Sequence, residues 1–129
     1  MLNKPLSVDN VYYLATPYSS KDPAVSQKRY EEQQRLLAHL TANLGLLVVA
    51  PIEMCHHLSK TYNLPSGYEY WKKRDRTLIS RSDGVIVGKI PGWGGSVGVA
   101  DEVNYALELG LPVYSLDPIT LEIIEGIDG

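Results

Sequence analysis

The sequence has little cysteine, no basic cluster and no long apolar run. Among its 129 residues Cys55 is the single cysteine, which excludes an internal disulfide framework and a cysteine-based metal site. The 12 basic residues are outnumbered by 15 acidic ones, for a net charge of −3. Since no stripe of Lys and Arg offers charge to a phosphate backbone, we expect no nucleic-acid polymer as partner.

The apolar segments are too short to cross a bilayer. The longest spans residues 44–52 and contains Gly45 and Pro51, whereas a spanning helix needs about 20 apolar residues. Residues 1–10 also lack the charged-then-apolar layout of a signal peptide. We therefore expect one cytoplasmic domain over residues 1–129, with no membrane partner.

Short β-rich runs alternate with helical segments along the chain. Strands are predicted at 11–15, 46–50, 84–88 and 112–116, and helices at 23–44, within 52–64, at 68–81 and at 99–109. The second run has no polar alternation, which is typical of a strand buried on both faces. The alternation predicts a three-layer Rossmann or flavodoxin-like α/β sandwich with a four- to five-stranded parallel sheet. The acidic tail, residues 119–129, is expected to form a last helical turn or to dock on a neighbouring subunit.

Polar residues follow the predicted strands where a ligand would bind. Ligands of such sheets lie beyond the carboxyl ends of the strands. This rule brings three groups of residues to one crevice: Tyr13 with Thr16, Pro17, Tyr18 and Ser19; Asp75; and Ser96 with Gly98 and Glu102.

The start of the last predicted helix combines small residues with an acid. Ser96 and Gly98 precede unpaired helix N–H groups, which favour an anion. Glu102 lies about one turn further along and can face the same crevice. A phosphate at the helix start and a carboxylate one turn later suit a phosphorylated sugar, with Glu102 attacking or stabilising an oxocarbenium-like centre. Asp75 could then protonate or hold the leaving base.

Each of these residues also has a plainer interpretation. Ser96 can be an N-cap and nothing more, and Glu102 a solvated acid that complements the helix dipole. Asp75 can pair with Arg76 or Lys72, and Tyr13 can be strand core; these alternatives stay open on spacing alone.

Neither a metal nor a cofactor is expected. His56 and His57 are adjacent and cannot easily converge on one ion, and Glu53 is the sole carboxylate at a helpful spacing. Residues 92–95 are not a dinucleotide fingerprint, because they follow no first strand and lack its spacing. Cys55 has no evident base nearby and is interpreted as a small core residue.

Taken in order, the segments resemble the nucleoside 2-deoxyribosyltransferase-like superfamily, and within it small bacterial and phage proteins of the DUF1937 type. The resemblance covers roughly residues 11–116. Its segments are Tyr13 to Ser19, Trp71 to Asp75, Ser82-Asp83, Gly92-Trp93, and Ser96 to Val99 leading to Glu102 and Ala106.

The resemblance implies an N-glycosidase or deoxyribosyltransferase that acts on a nucleotide or nucleoside. In the superfamily the glutamate of a Ser/Asp-x-Gly-x-x-x-Glu segment attacks the anomeric carbon, and Glu102 matches it. Asp75 matches the aspartate that assists at the base. Tyr13 matches the tyrosine that orients the nucleophile, or Tyr12 does if the register slips by one. A non-catalytic nucleotide-binding module of the same fold is the alternative.

The resemblance also implies a preference for a 5′-phosphate. A serine six positions before the glutamate, here Ser96, occurs in the superfamily's nucleotide hydrolases. Those enzymes have a basic residue shortly after the first strand, where this chain has Tyr18 and Ser19, so Lys21 or Lys89 would have to substitute.

Further substrate contacts and an assembly follow from the same resemblance. Thr16, Pro17, Tyr18, Ser19 and Trp93 are the expected additional contacts with the substrate. Superfamily members assemble as homodimers or larger oligomers. The C-terminal tail or Ser115 is therefore expected to contribute to a neighbour's site.

Overall fold

The computed structural model describes residues 2–127 as one five-stranded sheet with helices on both faces. The elements are β1 Val11–Ala15, α1 Pro23–Ala38, β2 Leu47–Val49, α2 Pro51–Tyr62, α3 Tyr68–Ser80, β3 Gly84–Gly88, α4 Val97–Glu108, β4 Val113–Leu116 and β5 Ile123–Glu125. A π-helical segment, His39–Asn43, continues α1, and a 3₁₀ turn, Trp93–Gly95, precedes α4.

The strand order is β2-β1-β3-β4-β5, and β1 to β4 are parallel. This is the flavodoxin-like strand order with an antiparallel β5 at the edge, so the predicted fold class is confirmed. The connections leave β1 on one side to reach β2, and β3 lies on its other side. The end of β1 is therefore the switch point at which a ligand crevice opens.

The two faces of β1 serve different layers. Tyr12 and Leu14 pack with Leu36 and Leu40 of the α1 side, whereas Tyr13 packs with the layer formed by α3 and α4. This alternation is the period of two of a strand. It decides between the two tyrosines, because only Tyr13 faces the helix that carries the predicted nucleophile.

The start of α1 is the one that the sequence predicts. The Asp22 side chain accepts a hydrogen bond from the Ala24 amide at 2.9 Å, and Pro23 occupies the first helical position. Gly45 follows the helical segment with a φ of 67°, a conformation that favours glycine after a helix.

Two expectations about strands need correction. Residues 46–50 were expected to form a strand buried on both faces, but β2 lies at the sheet edge and Leu47 is 58% exposed. The tail forms β5, antiparallel to β4, rather than a helical turn. The Asp117 side chain accepts from the amides of Ile119 and Thr120 and so stabilises the turn that reverses the chain.

The reversal also buries Ser115. Its hydroxyl donates to the carbonyl oxygen of Gly126, and 2% of the residue is exposed. A contribution of Ser115 to a neighbour's site is therefore not compatible with this chain's own packing. Within residues 2–127, no helix is long and apolar enough to cross a membrane.

Candidate active site

A cavity of about 340 Å³ lies beside the end of β1 and the start of α4. Its lining includes eight of the ten residues predicted to form the site, from the catalytic and the substrate-binding groups alike. The two outside the lining are Pro17, which is buried next to it, and Trp93, which packs on the core under the ammonium group of Lys89. The residues that the strand-end rule grouped together thus mostly line one cavity.

Glu102 lies in the first half of α4 and points inward. It is 5% exposed, and the hydroxyl of the equally buried Tyr13 donates a hydrogen bond to its Oε2. The interpretation of Glu102 as a solvated surface acid is therefore wrong. Tyr13 belongs to the hydrophobic core and also lines the cavity.

Asp75 brings a second carboxyl to the same cavity. It shares the inner face of α3 with Trp71 and Ile79, at the spacing of one helical turn in each direction. Asp75 is 7% exposed, and its buried Oδ1 has no hydrogen-bond partner in the described part of the chain. The expected alternative, pairing with Arg76 or Lys72, is wrong, because both cations bind Asp101 instead.

Burial raises the pKa of both carboxyls. The pKa of Glu102 lies well above its usual value because of burial, which the hydrogen bond from Tyr13 partly opposes, and the nearby Asp75 raises it further. Burial raises the pKa of Asp75 to about 6, against the opposing effects of the Arg74 guanidinium and the Tyr13 hydroxyl. Two such groups in one cavity favour a state in which one is ionised and the other holds a proton.

Tyr68, which the sequence did not single out, covers the start of α4. Its hydroxyl donates to Asp101 Oδ2 at 2.5 Å, and Arg76 holds the same carboxylate through two bonds, at 2.6 and 3.1 Å. A Cβ at Gly98 would lie 3.1 Å from Tyr68 Cδ1. The absence of a side chain at Gly98 leaves room for the Tyr68 ring, which lines the cavity.

Ser96 is the N-cap of α4. Its Oγ accepts from the Val99 amide at 3.1 Å, as the plainer interpretation predicts. The hydroxyl also faces the cavity and keeps a proton with which it can donate to a ligand. Capping and ligand binding are therefore compatible at this position.

The residues after β1 are fixed by side chains from α1 and α2. The Thr16 hydroxyl accepts a hydrogen bond from the side-chain amide of Gln33 at 2.9 Å. The Tyr18 hydroxyl lies 2.8 Å from Nδ1 of His56, whose ring stacks on Tyr30 with centroids 3.9 Å apart. Burial lowers the pKa of His56, which keeps the ring neutral between these tyrosines. His56 therefore supports the cavity wall.

A cation that the sequence did not predict lines the cavity. Arg29 of α1 reaches it, and its Nη1 donates to the carbonyl oxygen of Ser19 at 2.8 Å. Neither Lys21 nor Lys89 belongs to the lining. Arg29 precedes the buried Gln33 by four residues and so shares its helix face.

The remaining candidates do not form a metal centre. Within residues 2–127, no three His, Cys, Asp or Glu side chains are grouped so that they could hold a metal ion. Cys55 lines the cavity, but burial raises the pKa of its thiol to about 12, so it is a neutral packing residue there.

The sequence matches one described family. Residues 10–117 match the "Domain of unknown function (DUF1937)", and no curated protein matches the chain at a significant level. The match covers the switch-point cavity, including both buried carboxyls and Tyr13. The chain therefore belongs to the DUF1937 family.

Proposed function

We propose that this protein cleaves or transfers the N-glycosidic bond of a nucleoside 5′-monophosphate or nucleoside, with Glu102 as the nucleophile. The observation that carries the proposal is the pairing of two buried carboxyls in one cavity. The Tyr13 hydroxyl donates a hydrogen bond to Glu102, and Oδ1 of Asp75 accepts none from the described residues. Buried acids without a salt bridge cost stability, and such groups are characteristic of sites that transfer protons.

The chemistry assigns one role to each carboxyl. The ionised carboxylate of Glu102 attacks the anomeric carbon, and the electron pair of the N-glycosidic bond leaves with the base. Asp75 in its protonated form donates a proton to the departing nitrogen. Water, or a second base, then attacks the same carbon and releases Glu102.

Burial raises the pKa of both carboxyls, so the pair can hold one proton and offer an anion and an acid together. The proposed reaction needs that proton on Asp75, although burial raises the pKa of Glu102 as well. Tyr13 lowers the pKa of Glu102, which favours the ionised form at the nucleophile. Tyr13 is thus a positioning residue in this proposal.

The cavity volume and its aromatic wall fit a nucleoside. About 340 Å³ lies at the lower end of the range for small-molecule pockets, roughly 300–1,000 Å³. Tyr18, Tyr68 and Trp71 line it and offer ring faces to a base. No cofactor is needed for this reaction.

The test is release of free base from a panel of ribo- and deoxyribonucleosides and their 5′-monophosphates, followed by chromatography. We expect release or base exchange with at least one member, and a loss of about 10³-fold or more in Glu102→Gln. Glu108→Gln, an exposed acid on the same helix, is the matched control and should keep the wild-type rate. A folded wild-type protein that acts on no member contradicts the proposal.

A non-catalytic nucleotide-binding module is the second candidate. The observation in its favour is the raised pKa of Glu102, since a protonated carboxyl cannot attack. Thermal stabilisation by a nucleotide without any base release, over pH 5 to 9, would support this alternative against the enzyme.

A further inference from the structure

The cavity has one cationic side and one acidic side. Among the described residues that line it, Arg29 is the only Lys or Arg, whereas Asp75 and Glu102 are its two acids. The cation comes from α1, on the opposite face of the sheet from α3 and α4, which carry the acids. Such an arrangement suits a ligand that is anionic at one end and reacts at the other.

Arg29 is short of acceptors. Its Nη1 donates to the Ser19 carbonyl oxygen, but among residues 2–127 its buried Nε has no hydrogen-bond partner and no carboxylate forms an ion pair with it. A buried guanidinium N–H without an acceptor carries a desolvation cost that an anionic ligand would relieve. The planar fork of donors matches a phosphate in particular.

The loop before α4 is built around this guanidinium. Gly92 has a φ of 98°, and a Cβ there would lie 2.4 Å from Nη2 of Arg29. The cation therefore packs against the segment that leads into Ser96, at the positive end of the α4 dipole. Glu102 follows Ser96 by six positions, or roughly 9 Å along the helix axis, and a phosphorylated sugar can extend over such a length.

We propose that Arg29, together with Ser96 and the first amides of α4, binds the 5′-phosphate of the substrate and selects nucleoside monophosphates over nucleosides. The inference rests on the proposed function and adds the group that sets its substrate class. Arg29 is a binding residue in this account and takes no part in bond cleavage.

The experiment compares Arg29→Gln with Lys28→Gln, which removes the same charge from an exposed position of the same helix. For each protein we would measure kcat/KM with a nucleoside 5′-monophosphate and with its nucleoside. Arg29→Gln should lower the monophosphate-to-nucleoside ratio by about 10- to 100-fold through the monophosphate alone. Lys28→Gln should leave the ratio unchanged, and Arg29→Lys should recover part of it, since the charge returns without the fork.

A ratio that stays at the wild-type value, or an equal loss on both substrates, overturns the inference and leaves the glycosidase proposal standing. If the wild-type protein turns over nothing, the proposed function fails, and thermal stabilisation becomes the readout for Arg29. Stabilisation by the monophosphate but not the nucleoside, lost in Arg29→Gln and kept in Lys28→Gln, still supports Arg29 as the phosphate ligand. Equal stabilisation of the two variants, or none of the wild type, overturns it.

Discussion

At the scale of single residues, Tyr13 and Asp75 act on the pKa of Glu102 in opposite directions. The hydrogen bond from Tyr13 lowers that pKa, while the negative charge of Asp75 raises it. The proposed reaction needs Glu102 ionised, and burial is the largest cause that raises its pKa. Tyr13 and Asp75 therefore shift, in opposite directions, the pH below which activity is expected to fall.

In the profile of kcat/KM against pH, two substitutions are therefore predicted to shift the acidic limb in opposite directions. Tyr13→Phe removes the stabilising donor and should move the acidic limb of kcat/KM to higher pH. Asp75→Asn removes the like charge and should move the limb to lower pH, with a fall in rate of about 10²- to 10⁴-fold from loss of the acid.

A pH–rate profile of each variant measures both effects, and Glu108→Gln is again the control. Substrates with a leaving group that needs no proton should lose little rate in Asp75→Asn. Shifts of the two limbs in the same direction would show that one of these neighbours has another role.

At the scale of elements, the site depends on how closely α3 approaches α4. Tyr68 at the start of α3 lies against Gly98 and is held by Asp101. The sequence predicted both helices. It did not predict Tyr68 as a wall, because that contact depends on how two helices far apart in sequence pack together.

Gly98→Ala tests this approach. The added Cβ lies at 3.1 Å from the Tyr68 ring, so we expect a loss of roughly 1–2 kcal/mol in the free energy of unfolding and a raised KM. Gly94→Ala is the matched control, because a Cβ at Gly94 meets nothing within 4 Å. Denaturant unfolding and steady-state kinetics measure the two effects, and equal behaviour of both alanine variants would contradict this role for Gly98.

At the scale of the whole molecule, the buried acids link stability to pH. The pKa of Asp75 rises from its ordinary 3.8 to about 6 on folding, so the native state binds more protons than the unfolded one between those values. Stability from this group is present below pH 3.8 and is lost as pH rises through about 6. Glu102 contributes with the same sign.

Asp75→Asn should therefore be more stable than the wild type at pH 8 by roughly 1–2 kcal/mol, with the difference shrinking toward pH 4. Thermal melts of the two proteins between pH 4 and pH 8 give the comparison directly. A difference that is constant with pH would show that the carboxyl of Asp75 does not titrate in the native state as inferred.

The fold and the acidic half of the site were predictable from local patterns. Apolar runs marked the elements, and the strand-end rule gathered Tyr13, Asp75 and Glu102. Arg29 and β5 were not predictable in this way, because each depends on contacts between distant segments. The cytoplasmic location and the homo-oligomeric state remain predictions.

The stereochemistry of the sugar product tests the central claim most directly. Attack by Glu102 followed by a second displacement retains the configuration at the anomeric carbon. With methanol present as an acceptor, we predict a β-methyl glycoside as the first product from a β-nucleotide, observed by NMR, and none from Glu102→Gln. An α-methyl product, or product formation that survives Glu102→Gln, would contradict a glutamate nucleophile.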